Sequence, residues 1–267
     1  MTIPFNQRGR AARSAVRPSP IFLAVLATAL VSGYYVWQAG NQASRSVQFG
    51  AFVFIVSAWV VTLCLHEFAH AFLAWRFGDH EVEARGYLTL NPLKYSHPVL
   101  SLLLPLLFIA IGGIGLPGGA VYVHTHLFRS RAQRAAVSLA GPAVNAVAAI
   151  ALLIITGQLI GGVTHRAFVV TLVFFALLQF MGAILNLLPI PGLDGYGAIE
   201  PYLSPEFQRQ AEPFKPFGML GLFALLQVPT INTAFFNAVY GLFEFCGGNR
   251  LYAGVGYDLI RFWQTRA

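Results

Sequence analysis

The sequence predicts an all-α polytopic membrane protein with about five to six transmembrane segments, one re-entrant segment and short membrane-associated β-strands. Three observations carry that expectation. Hydrophobic residues make up 57% of the 267 and charged residues 10%, against about 25% charged in an average soluble domain. So few charges cannot clothe a water-soluble surface of this size. Several uncharged stretches reach the roughly 20 residues that cross a bilayer as a helix. The 17 Lys and Arg, which leave a formal net charge of +7, are scattered between apolar runs. That spacing suits short cytoplasmic loops and counts against a nucleic-acid partner, which would want one basic patch.

The elements follow in order. Residues 1–20 form a basic N-terminus with Arg8, Arg10, Arg13 and Arg17, expected in the cytoplasm. The apolar run 21–39 is too long for the core of a signal peptide and has no small-residue cleavage site after it, so it reads as a first span. A second run covers 47–77. Residues 78–97 are polar, and the run 98–117 is broken by Pro105, Gly112, Gly113, Gly115 and Pro117. Alternation over 119–127 has the period of a strand. After Arg129, Arg131 and Arg134, spans are expected at 135–160 and 167–190. A Pro-rich polar loop at 195–216 and an apolar stretch at 217–246, interrupted by Pro229 and Asn232, precede a short tail, 247–267. The two cysteines, Cys64 and Cys246, sit in apolar runs and suggest no disulfide framework. Residues 21–246 read as one membrane domain; nothing in the pattern sets an oligomeric state.

The second run carries His66-Glu67-Phe68-Ala69-His70, an H-E-x-x-H pattern. Residues four apart on a helix lie about 40° apart around its axis, so both imidazoles face one metal ion. Glu67 lies beside them, placed for a water on the metal rather than for the metal itself. This is the zinc-hydrolase pattern: zinc brings the pKa of a bound water to about 7, and the carboxylate takes its proton. So short a motif also arises by chance. At membrane depth, however, each ionisable group costs roughly 2.5–3.5 kcal/mol on insertion scales, which counts against accident. His66 lies ten residues before Arg76, or about 15 Å of helix. The site is therefore expected inside the bilayer, nearer the cytoplasmic side.

A catalytic zinc needs a third protein ligand. Asp79, Glu81, Glu83, Asp194, Glu200, Cys64 and the remaining histidines are candidates. Cys64 would lie about 200° round the helix from His66 and face away. Asp194 ends an apolar run after Pro189, Pro191 and Gly192, residues that break a helix only against protein or a wet cavity. With the N-terminus inside, Asp194 reaches the depth of His66 if 135–160 goes out and 167–190 comes back. That requires 98–117 to return to the side it entered from. His124 and His126 are spaced like alternate strand positions. His80, His97 and His165 read as loop residues, and Trp37 and Trp263 as interface or packing residues.

These residues resemble the site-2 protease (M50) family, bacterial branch. The likeness rests on His66-Glu67-Phe68-Ala69-His70, on the N-x-x-P-x-x-x-L-D-G pattern from Asn186 to Gly195, and on Ala140-Gly141-Pro142-Ala143-Val144-Asn145 as a G-P-x-x-N element. Leu88-Thr89-Leu90-Asn91-Pro92 adds to it, and the resemblance covers about residues 50–205. It implies an intramembrane zinc metalloprotease with one Zn²⁺ per chain on His66, His70 and Asp194. It also implies Glu67 as catalytic base and Asn145 as a residue that helps hold substrate. Single-pass membrane proteins would be the substrates and a bacterial plasma membrane the location. Two departures stand out: His97 replaces an acidic residue found in many bacterial relatives, and no stretch looks like a PDZ or CBS domain. Rival readings are a transporter or channel, which would not need Glu67 beside a ligand, and an inactive scaffold, which would not need the full set.

Overall fold

The computed structural model describes residues 16–95, 121–162 and 164–264. Helix α1 (Pro20–Gln38) opens with Ser19 accepting the Phe22 N–H at 3.1 Å and with Pro20 in its first turn, where a missing N–H does no harm. Helix α2 (Arg45–Arg76) has 32 residues, about 48 Å of helix against a hydrocarbon core of about 30 Å. It ends in a polar segment containing the short α3 (Glu81–Ala84) and two 3-10 turns. Helix α4 (Arg131–Leu159) is capped by Ser130 and runs through Pro142; α5 (Arg166–Asn186) follows. The chain then makes α6 (Asp194–Ile199), α7 (Pro205–Ala211), α8 (Gly218–Leu226), α9 (Pro229–Phe245) and α10 (Arg250–Ile260).

Among the described residues, α1, α2, α4 and α5 are long and apolar enough to cross a membrane. The stretch expected as a last span is no straight helix. Pro205–Leu226 and Pro229–Phe245 meet at 98°, and they make a fifth span only if counted together. Proline biases the residue before it to extended backbone, and Val228 sits at φ −76°, ψ 115°. Asn232 then holds the corner by donating its amide to the Leu226 carbonyl at 2.9 Å. Among the described residues the candidate spans thus number four, or five with the bent pair.

Three further expectations change. No strand forms among the described residues: 121–124 has no regular structure and turns into a 3-10 helix at Thr125–Leu127. A strand needs a partner for its backbone groups, and here Asp79 takes the His124 N–H instead, at 2.7 Å. The polar loop at 195–216 is largely helical. The tail contributes α10, which packs on α5 and α2. The re-entrant segment expected at 98–117, with His97, lies outside the described residues.

Backbone contacts establish the order of faces. The Ser19 N–H donates to the Thr89 carbonyl at 2.8 Å, joining the start of α1 to the segment after α2. On the opposite face, His165 stacks on Trp37 with centroids 3.6 Å apart, and the Ala167 N–H donates to the Gly40 carbonyl at 3.2 Å. Helices α2 and α5 therefore run the same way, with α1 and α4 against them. The C-terminal ends of α2 and α5 share one face, as the topological argument for Asp194 required. Burial separates the helices: 78% of the apolar window of α5 is buried, but only 33% of that of α4. The outer face of α4 exposes Val147, Ile150 and Ile154.

Candidate metal centre

His66 and His70 lie one turn apart on α2, with their Nε2 atoms 3.1 Å from each other. Asp194 Oδ2 is 3.2 Å from His66 Nε2 and 3.4 Å from His70 Nε2. Two ligands bound 2.0–2.1 Å from zinc at tetrahedral angles stand about 3.3–3.4 Å apart, so the triangle has the edge lengths of a tetrahedral site. The other ring nitrogens are engaged. His70 Nδ1 donates to the Val137 carbonyl at 2.7 Å; a carbonyl only accepts, so the proton is on Nδ1 and Nε2 is left with its lone pair.

His66 is fixed through a longer chain. Its Nδ1 donates to Asn145 Oδ1 at 2.7 Å. Asn145 Nδ2 donates to Gln179 Oε1 at 3.3 Å, and Gln179 Nε2 donates to Thr62 Oγ1 at 2.9 Å. Thr62 closes the chain on its own helix, donating to the Trp59 carbonyl at 2.9 Å. Every donor direction is set by that terminal carbonyl, and the result at the far end is an Nε2 with a free lone pair. Two imidazole lone pairs and a carboxylate therefore converge without a proton between them, and a cation is what such a donor set fits. An ionised carboxylate is the form that ligates.

The turn before Asp194 has its own requirement. Gly195 backs onto the carbonyls of Leu187 and Leu188, where a Cβ would collide with backbone. That close approach folds the end of α5 back on itself and aims Asp194 at α2. Gly141 of α4 faces the Nε2 atoms of His66 and His70, and a Cβ there would press on both.

Glu67 is 2% exposed; its Oε2 is buried and has no hydrogen-bond partner among the described residues, while the Val121 N–H donates to its carboxylate. It shares a cavity of about 380 Å³ with His66, His70, Asn145 and Asp194. That arrangement leaves one carboxylate oxygen free to handle a proton beside the ligands.

The other candidates for the third ligand are occupied elsewhere. Asp79 is fully buried and accepts the N–H groups of His124 and Glu81. Glu83 accepts the Trp75 indole N–H at 3.0 Å, Glu81 pairs with Arg85 at 2.9 Å, and Glu200 pairs with Lys215 at 2.7 Å. Cys64 is buried and stands apart from the ligand group. His124 meets Asp79 and Glu81 at 3.5 and 3.4 Å, but among the described residues only His66, His70 and Asp194 gather as a metal site. Asn145, expected to help hold substrate, lines the cavity and accepts the His66 Nδ1 N–H. Thr62, Gln179 and Gly141 escaped the sequence reading. Gln179 had a signal: an amide inside an apolar span needs a partner.

The polar chain predicts an effect of its own. Gln179→Leu removes both middle bonds and leaves Asn145 free to turn. Zinc affinity, read by competition with a chromophoric chelator, should fall about 10–100-fold, the usual cost of losing an outer-shell partner. Unchanged affinity would show that His66 needs no such support.

Comparison with known proteins agrees with the geometry. The chain is 53% identical over 251 residues to "Putative zinc metalloprotease Rip2" of Mycobacterium tuberculosis, covering 94% of this chain and 96% of that protein. The Rip2 protein of Mycolicibacterium smegmatis is 51% identical over 256 residues, 96% of this chain and 98% of its own. YwhC of Bacillus subtilis, named in the same way, is 31% identical over 183 residues, 66% of this chain and 81% of its own. No family model matches the chain. No solved structure matches it. Two buried histidines and a half-buried aspartate in one triangle, and relatives of this identity along nearly the whole length, place the chain in the site-2 protease family of zinc metalloproteases.

Proposed function

We propose that the chain is an intramembrane zinc endopeptidase of the site-2 (M50) type. Its substrates are single-pass membrane proteins, cut in or near their transmembrane segments in a bacterial plasma membrane, with the N-terminus of the enzyme in the cytoplasm. The observation that carries this reading is the depth of the site. His66, Glu67 and His70 are buried in a helix apolar enough to span a bilayer, about 15 Å before its end.

His66, His70 and Asp194 would hold the metal. Bound zinc supplies a water acidified to a pKa of about 7 and polarises a carbonyl oxygen. The chain's own residues do the rest. Glu67 takes a proton on its free Oε2 and returns it to the leaving amide nitrogen. Val121 anchors the other side of that carboxylate, so the proton acceptor has one orientation. Asn145 positions His66, and gripping substrate as well requires its amide to trade one of its present bonds. A transmembrane substrate hides its peptide groups in helical hydrogen bonds and must unwind to be cut. Val121 and Val123 line the cavity on a segment without a strand partner among the described residues, and an unwound substrate pairs with the backbone groups there that are not already engaged.

The test is cleavage of a model single-pass protein by the purified chain in phospholipid vesicles, with the cut mapped by mass spectrometry. Chelation should abolish cleavage, and zinc, but not magnesium, should restore it. Cleavage that survives complete metal removal, or that falls only in soluble loops, overturns the proposal.

A further inference from the structure

Among the described residues, one cation lines the cavity without a role in the chemistry. Arg134, in the first turn of α4, shares that cavity with Glu67 and Asp194. Its neighbours Arg129 and Arg131 are exposed, as basic residues at a membrane interface usually are. Arg134 is half-buried, and its Nε is buried with no hydrogen-bond partner among the described residues. No described carboxylate stands within ion-pairing distance of it. Asp194 is turned to the two histidines, and the pairs at Glu81, Glu200 and Asp258 belong to other cations. A guanidinium left unpaired against a partly apolar wall is costly, and such groups near membrane depth mark binding functions.

Its place relative to the ligands is set by α4. Arg134, Ser138 and Gly141 follow one another at helical spacings of four and three and so share a face. Gly141 abuts the Nε2 atoms of His66 and His70, and Ser138 lines the cavity between. Seven residues of helix are about 10 Å, and an extended chain covers that distance in about three residues.

We propose that Arg134 is a specificity determinant that pairs with an acidic side chain of the substrate about three residues from the scissile bond, on the membrane face where α2 ends and α4 begins. The proposal rests on the protease reading and names its substrate class: segments with a Glu or Asp just beyond the cut on that face. The planar guanidinium suits a carboxylate, which it grips through two parallel N–H groups, and does so best where water is scarce.

The test reads binding rather than turnover. The full chain carrying Glu67→Gln, loaded with zinc in vesicles of neutral phosphatidylcholine, is titrated with fluorescent single-span peptides. These differ only in carrying Glu, Ala or Lys at the second, third or fourth residue from the expected cut. The Glu peptide should bind about ten-fold more tightly than the Ala peptide at one of those positions, and the Lys peptide more weakly than either. Adding Arg134→Gln should bring the Glu and Ala peptides within about two-fold of each other. Adding Arg134→Glu should reverse the order so that the Lys peptide binds best, a gain that a misfolded protein cannot mimic. Equal affinities for Glu and Ala peptides at all three positions overturn the proposal. So does a preference that persists in Arg134→Gln, or one that appears only when anionic lipid is added, since the partner is then a headgroup phosphate. A wild type that binds with this preference but cuts nothing would count against the protease reading and leave the pairing in place.

Discussion

Gly141→Ala is expected to abolish zinc binding, and all cleavage with it. In a helix interior this substitution ordinarily stabilises by about 0.5–1 kcal/mol, because Ala loses less backbone freedom on folding. Here the added methyl group meets the Nε2 atoms of His66 and His70 closer than nonbonded atoms allow. The rings cannot swing aside, since each is held through Nδ1 at 2.7 Å, one by Asn145 and one by Val137. The methyl therefore fills the space where the three ligand atoms converge. Gly157 is the control: it lies in the same helix, and a Cβ there meets nothing within 4 Å. Gly157→Ala should keep one zinc per chain and unfold at the same temperature or slightly higher. Metal analysis of the two purified variants decides the matter, and full zinc in Gly141→Ala would show that α4 stands farther from the site.

Glu67→Gln should do the reverse, keeping zinc and losing turnover. The amide has the size of the carboxylate and still accepts the Val121 N–H, so the cavity keeps its shape. None of the three ligand atoms changes. What disappears is the proton acceptor at Oε2, the oxygen that now has no partner among the described residues. General-base catalysis contributes about 10²–10⁴-fold, and kcat should fall by that factor. Zinc content and substrate binding should hold. Unchanged cleavage would remove Glu67 from the mechanism, and lost zinc would make it a structural residue instead.

The two variants differ in how legible their residues are. The place of Glu67 could be read from the chain because it follows from local spacing: two histidines four apart fix a face, and the residue between them enters the same cavity. Asp194 needed one further step, the parity of spans, which depends on counting apolar runs rather than on packing. Gly141 offers no such handle. Its constraint exists only where α4 crosses α2, and a crossing point is set by the side chains of both helices together. Gln179 and Thr62 lie on different helices, 117 positions apart, and their pairing also belongs to the packed state. The strand expected over 119–127 does not form among the described residues, for the opposite reason. Alternation describes which side chains share a face, yet Val121, Tyr122 and Val123 all line the cavity. A ladder additionally needs a neighbour, and Asp79 claims the backbone first. Likewise, prolines and charges marked 195–216 as polar, yet polarity is compatible with short capped helices such as the one begun by Ser204.

The deep burial of α5 has a consequence for how the molecule is made. A helix that apolar would be at ease facing lipid on every side, yet α1, α2, α4, α9 and α10 all touch it. Its first neighbours are synthesised before it and its last ones after it. Until α10 arrives, the side of α5 bearing Val170 and Phe174 lacks the helix whose Gly256 packs onto it. The ribosome therefore delivers the central post of the building before its last wall, and a chain that stops short of residue 250 would leave that post standing in the weather.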